Sequence, residues 1–267
     1  MLGKLYFIGA GPGDPELITV KGKRIISEAD VIIYAGSLVN PEVLNCRKND
    51  AVVYNSAEMN LDEVLKVELE ALNKGLEVAR VHTGDPAIYG AIQEQMDGLR
   101  AAGINEEQFE VIPGVSSFLA TAAALKQEYT LPSISQTVII TRMEGRTPVP
   151  NKQKIADYAA HKATMVIFLS SGMLEKLQKE LIAGGYTADT PAAIVYKASW
   201  PDEKVCRCTV GTLAETAKEH NITKTALITV GNFLGNIYDR SELYNPTFAH
   251  GYRAADPSKL DLKPEVK

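Results

Sequence analysis

The chain has 267 residues, with 28 Lys and Arg set against 33 Asp and Glu, for a net charge of −5. Hydrophobic residues make up 45% and charged residues 23%. That is ordinary globular usage, and it excludes a disordered chain, a collagen-like repeat and a disulfide-dense mini-domain. The acidic balance also argues against a general nucleic-acid binder, leaving a polyanionic partner only through a local basic patch.

The first half alternates short apolar runs with helical patterns. Residues 5–8 read as a strand that ends in Gly9-Ala10-Gly11-Pro12-Gly13-Asp14-Pro15. A helix follows over 19–28 with Thr19 at its N-cap, and then a strand over 31–34. Val64, Leu65, Val67, Leu69 and Leu72 give the stretch 62–73 an apolar helical face that Gly75 ends. The strand at 78–81 runs into Thr83-Gly84-Asp85-Pro86, a helix returns over 91–100, and a short strand over 110–112 ends in Pro113-Gly114. A small-residue helix spans 116–125. This βα alternation predicts a mainly parallel sheet covered on both faces.

A second unit is expected to begin near residue 135. It has strands at 137–141, 165–169, 192–196, 205–210 and 226–230, and helices at 152–160, 174–183 and 213–220. The predicted fold class is α/β. An N-terminal α/β domain (1–125) and a C-terminal α/β domain (135–253) are joined by a linker (126–134) and followed by a polar tail (254–267).

The first glycine-rich loop invites a dinucleotide-binding assignment, but the pattern fails. Gly9 and Gly11 match, Asp14 occupies the third glycine position, and Pro12 removes a backbone donor. No acidic residue closes the second strand, which ends Tyr34-Ala35-Gly36. In Gly84-Asp85-Pro86 the carboxylate either accepts hydrogen bonds from a ribose or an amine, or caps its own loop. Loops at the carboxyl ends of strands are where open α/β sheets bind ligands. Three such loops, after residues 8, 82 and 112, outline one crevice.

These segments carry a resemblance. Gly9-Ala10-Gly11-Pro12-Gly13-Asp14-Pro15-Glu16-Leu17-Ile18-Thr19, Gly84-Asp85-Pro86-Ala87-Ile88-Tyr89-Gly90 and Ile112-Pro113-Gly114-Val115-Ser116-Ser117 resemble, in order, the signatures of the tetrapyrrole (corrin and porphyrin) methyltransferases. The likeness continues through 192–199 and 228–231 and covers about nine-tenths of the chain. Tyr34-Ala35-Gly36-Ser37-Leu38-Val39 and the loop from Thr141 to Pro150 are similar to the branch acting at C11 of precorrin-4. The resemblance implies a fold of two α/β domains with a ligand cleft between them. It implies S-adenosylmethionine as methyl donor, a homodimer, and a polycarboxylate tetrapyrrole acceptor that is either metal-free or cobalt-bearing. Other corrin carbons, uroporphyrinogen III, or tetrapyrrole or nucleotide binding without turnover remain alternatives.

Matched onto the family, Pro12, Gly84, Asp85, Ile88, Ser116, Ser117 and Ala198 are implied to bind the donor, with Asp85 at its polar end. A Met-Gly pair of some relatives is absent here, which leaves Leu169 or a neighbour at that donor contact. Asp14 is the candidate catalytic residue facing the reaction. Arg142, Arg146 and Lys152 are candidates for gripping substrate carboxylates, or form a solvated loop. A net-acidic chain needs such local positive charge to attract an acidic substrate.

His82 is either a base or, more simply, a packed histidine. Trp200 and Tyr89 form either a wall for a macrocycle or ordinary core. Cys206 and Cys208 share one face of a strand and read as packing thiols, so no protein-bound metal is expected, and any cobalt arrives within the substrate. Three cysteines without a secretory signal, and no apolar run near the roughly 20 residues that cross a bilayer, point to a cytoplasmic protein with neither membrane nor nucleic acid as partner.

Overall fold

The computed structural model describes residues 2–256 and 258. They form two compact units. The first comprises the described residues up to Thr121 together with Lys197–Glu203, and the second Ala122–Tyr196 together with the described residues from Lys204 onward.

In the first unit the order is β1 (Leu5–Gly9), α1 (Val20–Glu28), β2 (Val31–Tyr34), β3 (Val52–Asn55), α2 (Leu61–Asn73), β4 (Val78–His82), α3 (Gln93–Ala101) and β5 (Phe109–Ile112). The helix α4 (Ser117–Leu125) then begins. The sheet order is β3-β2-β4-β1-β5, and every neighbouring pair is parallel. Alternate strand residues feed two cores. Ile8, Ile32, Val81 and Ile112 pack with Ile25 and Ile26 of α1. Leu5, Phe7, Ile33 and Val78 pack with Leu72 of α2 and Leu99 of α3. Burial on both faces is why these strands read as unbroken apolar runs.

Local signals set the helix starts. The Thr19 hydroxyl accepts from the Gly22 amide at 3.1 Å and caps α1. Asn60 and Glu63 cap α2 reciprocally, each side chain accepting the other's amide. The helix α3 starts two residues later than the pattern at 91–100 suggests, because Tyr89 and Ala91 hold left-handed backbone at φ 56 and 51° and prolong the preceding loop. The strand β3 is absent from the sequence reading. It lies at the sheet edge with Val52, Val53 and Tyr54 exposed, so no buried period marks it.

The second unit holds β6 (Val138–Arg142), α5 (Ile155–Ala159), β7 (Thr164–Phe168), α6 (Leu174–Ala183), β8 (Pro191–Tyr196), β9 (Lys204–Thr209), α7 (Leu213–Glu219) and β10 (Ala226–Val230). Its sheet runs β6-β7-β10-β8-β9. β6 and β7 are parallel, and the other pairs are antiparallel. Met165, Ile167, Ile194 and Ile228 pack under Ile155, Leu177, Leu181 and Leu213. The helix α5 is shorter than the span 152–160, because a turn closed by the Gln153 amide on the Pro150 carbonyl precedes it. Cys206 and Cys208 pack into this core, where burial pushes the Cys208 thiol up to about 11. Residues 126–134 lie in the second unit, with the Tyr129 carbonyl accepting from the Thr164 hydroxyl at 2.8 Å. Of the tail 254–267, only 254–256 and 258 fall within the described residues.

Candidate functional site

The parallel register brings three glycine loops to one edge of the first sheet. Gly9 pairs with His82, and Ile8 with Ile112, so the chain leaves β1, β4 and β5 side by side. The first two loops then bond to each other. The Gly84 amide donates to the Gly11 carbonyl at 2.7 Å, and the Gly11 amide donates to the Gly84 carbonyl at 3.2 Å. Both glycines hold left-handed backbone, at φ 81° for Gly11 and 61° for Gly84. A Cβ on Gly9 would sit 2.6 Å from the Gly114 Cα and from the Gly84 carbonyl oxygen. The three loops therefore touch backbone to backbone, which only glycine permits.

Asp85 fastens the second loop to the third. Its Oδ2 accepts from the Gly114 amide at 2.9 Å, and its Oδ1 from the Ala87 amide at 2.8 Å. A carboxylate has lone pairs beyond these two, so it can still accept from a ligand. Ile88 closes this turn, its amide donating to the Asp85 carbonyl. Ser116 is buried at the end of the third loop, its Cα 3.5 Å from where a Cβ of Gly84 would stand, and Ser117 opens α4.

Pro12 and Asp14 lie in the first loop. The Pro12 carbonyl accepts from Trp200 Nε1 at 2.9 Å, and the Asp14 amide donates to Ser199 Oγ at 3.0 Å. Asn40 donates to the Gly13 carbonyl at 2.8 Å. Asp14 Oδ1 accepts from the Glu16 amide and caps the turn Pro15–Leu17. Ala198 is buried next to Ser199. Pro12, Asp14, Gly84, Asp85, Ile88, Ser116, Ser117 and Ala198 thus all stand in the first unit, on loops tied by these bonds. Trp200 belongs to the same set, through a partnership 188 residues apart in the chain that no local pattern announces.

A polar cluster spans α2, β4 and α3, and of its members the sequence singled out only His82. Glu68 of α2 is fully buried, and neither of its carboxyl oxygens has a hydrogen-bond partner. Burial lifts its pKa to about 8, against a smaller opposing pull from Arg80. Arg80 donates from Nε to Gln95 at 2.9 Å, and Gln95 donates to the Ala91 carbonyl at 2.6 Å. His82 is buried, with its Nε2 unpartnered and its ring 6.1 Å from that of Phe7. Burial, and then Arg80, lower its pKa to about 3. His82 is therefore a neutral, packed histidine. The signal for the cluster was a charge inside an apolar pattern. Glu68 stands midway between Val64 and Leu72 on the buried stripe, and Arg80 interrupts the strand Val78-Ala79-Arg80-Val81.

In the second unit, Arg142 pairs with Phe168 across β6 and β7, and Leu169 follows Phe168 in the chain. Leu169 is 62% exposed, with left-handed backbone at φ 52°. The Arg142 guanidinium donates to the carbonyls of Met143, Thr147 and Pro148 at 3.2, 3.3 and 2.8 Å. It thereby holds the loop in which Arg146 is exposed, and Lys152 is exposed further on.

The first-unit loops offer a ligand close main-chain contact and a few polar side chains. Glycines with no space for a Cβ bring main-chain groups to the surface of the turn, while Asp85 and the two serines add polar side chains. Among the described residues, no three His, Cys, Asp or Glu side chains gather as a metal would require. Residues 4–214 match the tetrapyrrole (corrin/porphyrin) methylases, and the chain belongs to that family. It is 57% identical over 251 residues to the cobalt-precorrin-4 C(11)-methyltransferase of Methanocaldococcus jannaschii, covering 94% of this chain and 96% of that one. A solved structure of a cobalamin biosynthetic enzyme, cobalt-precorrin-4 methyltransferase, matches with a TM-score of 0.84 at 49% identity, over 87% of this chain and 96% of the other. Uroporphyrin-III C-methyltransferase from Thermus thermophilus, solved with S-adenosylhomocysteine, matches with a TM-score of 0.71 at 26% identity, over 87% and 94%.

Proposed function

We propose that this chain is an S-adenosylmethionine-dependent C-methyltransferase that places a methyl group on C11 of cobalt-precorrin-4 during corrin synthesis. The observation that carries this is 57% identity to a C11-methyltransferase across nearly the whole of both chains. The weaker match to a uroporphyrin-III enzyme ranks the C11 assignment above that alternative.

S-adenosylmethionine, when bound, supplies a methyl group already activated on a sulfonium. The protein's task is then to align the donor with an electron-rich ring carbon and to exclude water. Gly84, Pro12 and Ala198 would hold the donor against main chain, with Ile88 as an apolar contact. Asp85, Ser116 and Ser117 would take its polar groups. Asp14 is assigned to the acceptor. Its Oδ1 is committed to the Glu16 amide, and Oδ2 is the oxygen that would orient the ring or accept a proton. Arg146 and Lys152 would grip the acceptor's carboxylates on a loop stiffened by Arg142. Cobalt belongs to the acceptor, and no resident metal takes part.

The protein works as a homodimer in the cytoplasm. No helix among the described residues is long and apolar enough to cross a membrane. Purified protein given radiolabelled donor with cobalt-precorrin-4, metal-free precorrin-4 or uroporphyrinogen III should label the cobalt acceptor fastest. Labelling of uroporphyrinogen III alone would reject the assignment.

A further inference from the structure

The segment Lys197–Glu203 leaves the second sheet between β8 and β9 yet packs with the first unit. It is held in an uncommon backbone. Lys197 and Ser199 are left-handed at φ 47 and 70°, flanking buried Ala198. Neither is a glycine, so each conformation costs energy and persists only where its surroundings enforce it. Three contacts within the segment do the enforcing. The Ser199 amide donates to the Glu203 carboxylate at 2.7 Å, and Lys197 pairs with Asp202 at 2.7 Å. The Lys197 ammonium stands 5.1 Å from the centre of the Trp200 ring.

What the strained segment offers in return is a grip on the first loop. Ser199 Oγ accepts from the Asp14 amide, and Trp200 Nε1 donates to the Pro12 carbonyl. Between them, the indole lies against Gly13, where any Cβ would collide with it. Asn40 holds the Gly13 carbonyl through its side-chain amide. Pro12, Gly13 and Asp14 are thus each fixed by a separate partner, two of the three in this segment. A glycine-rich turn has many conformations to lose, so such fixing converts it into a rigid platform.

We propose that Ser199 and Trp200 are positioning residues that hold the Pro12–Asp14 loop in its ligand-ready conformation, so that donor affinity depends on them although their polar atoms are spent on the loop itself. This rests on the donor-binding assignment of the first-unit loops. It predicts a dissociation between stability and binding. Ser199→Gly relieves the left-handed strain while removing the hydroxyl, so folding is unharmed but the loop is loosened. Trp200→Phe keeps an aromatic ring but removes the N–H donor and, with it, part of the five-membered ring that lies against Gly13.

The test titrates S-adenosylhomocysteine into the wild type, Ser199→Gly, Trp200→Phe and Asp85→Ala by calorimetry, with a thermal melt of each. Ser199→Gly should melt at or above the wild-type temperature and bind about tenfold more weakly, the loss expected for one hydrogen bond. Trp200→Phe should weaken binding similarly, and both should raise the KM for S-adenosylmethionine more than they lower kcat. Wild-type affinity in both variants, with Asp85→Ala impaired, would overturn the positioning role and leave the donor site standing. Wild-type affinity in all three would overturn the donor site as well. A Ser199→Gly protein whose melting temperature falls together with its affinity would reduce the role to folding and overturn the proposal.

Discussion

Replacing Glu68 by Gln should stabilise the protein at neutral and alkaline pH. Glu68 is fully buried on α2 with both carboxyl oxygens unpartnered, and burial raises its pKa from 4.5 to about 8. Between those two values the native state holds a proton that the unfolded chain releases. Stability from this group is therefore complete below pH 4.5 and is lost as pH rises through 8. The full penalty is roughly 5 kcal/mol above pH 8, and about 3 kcal/mol of it is present at pH 7. Gln has nearly the same volume, buries no ionisable proton and has no unfolded-state charge to lose. The difference between variant and wild type should be near zero at about pH 4, about 3 kcal/mol at about pH 7 and about 5 kcal/mol at about pH 9. Urea unfolding at those three pH values measures it. Reading the difference between the two proteins removes the opposing contribution of His82, whose lowered pKa costs stability as pH falls through 6.5 towards 3. A Glu68→Gln protein several kcal/mol less stable than wild type at pH 7 would refute the reasoning. That result would mean an ionised Glu68 paired with Arg80, since breaking a buried pair typically costs about 3–5 kcal/mol.

Three further outcomes follow from the loops. Asp85→Ala leaves the Gly114 and Ala87 amides without their acceptor, so stability should fall by about 1–3 kcal/mol in urea unfolding, and S-adenosylhomocysteine affinity should fall with it in calorimetry. Unchanged affinity would remove Asp85 from the donor site. Gly114→Ala drives a methyl group into the Gly84 carbonyl and the Gly9 backbone. It should cost about 1–3 kcal/mol or more and abolish donor-product binding, read by thermal melt and calorimetry. Arg146→Ala should weaken the apparent affinity for the cobalt acceptor about tenfold at low salt in steady-state kinetics. The gap should narrow near 1 M salt, where the screening length is about 3 Å. A gap that salt does not change would speak against a carboxylate contact.

The strands were legible wherever both faces are buried. Val31–Tyr34 and Ala226–Val230 read from sequence with their observed bounds, because runs so rich in β-branched and apolar residues favour buried strands. The edge strand β3 was not legible, since it pairs by main chain and exposes its side chains. Thr19 was readable as a cap, because capping is local chemistry. The glycine loops were readable as loops, but the bond from the Gly114 amide to Asp85 joins residues 29 apart, and the Trp200 bond to Pro12 joins residues 188 apart. Spacing along a chain carries no information on such contacts until the sheet register is known. Arg142 illustrates the limit for charged residues. Its side chain suggested a carboxylate grip, and its bonds to three carbonyls of its own loop were not announced by any spacing. Glu68 and Arg80 stand as charges inside apolar patterns, but their burial is set by α2 lying against β4 and not by either pattern alone.

The proposed function is methylation at C11 by a donor held on the first-unit loops. Its most direct test is carbon-13 NMR of the product formed from cobalt-precorrin-4 and S-adenosylmethionine labelled in its methyl group. A single enriched methyl resonance coupled to C11 is the result expected. Enrichment at any other ring carbon, or none after complete mixing of enzyme, donor and acceptor, would contradict it.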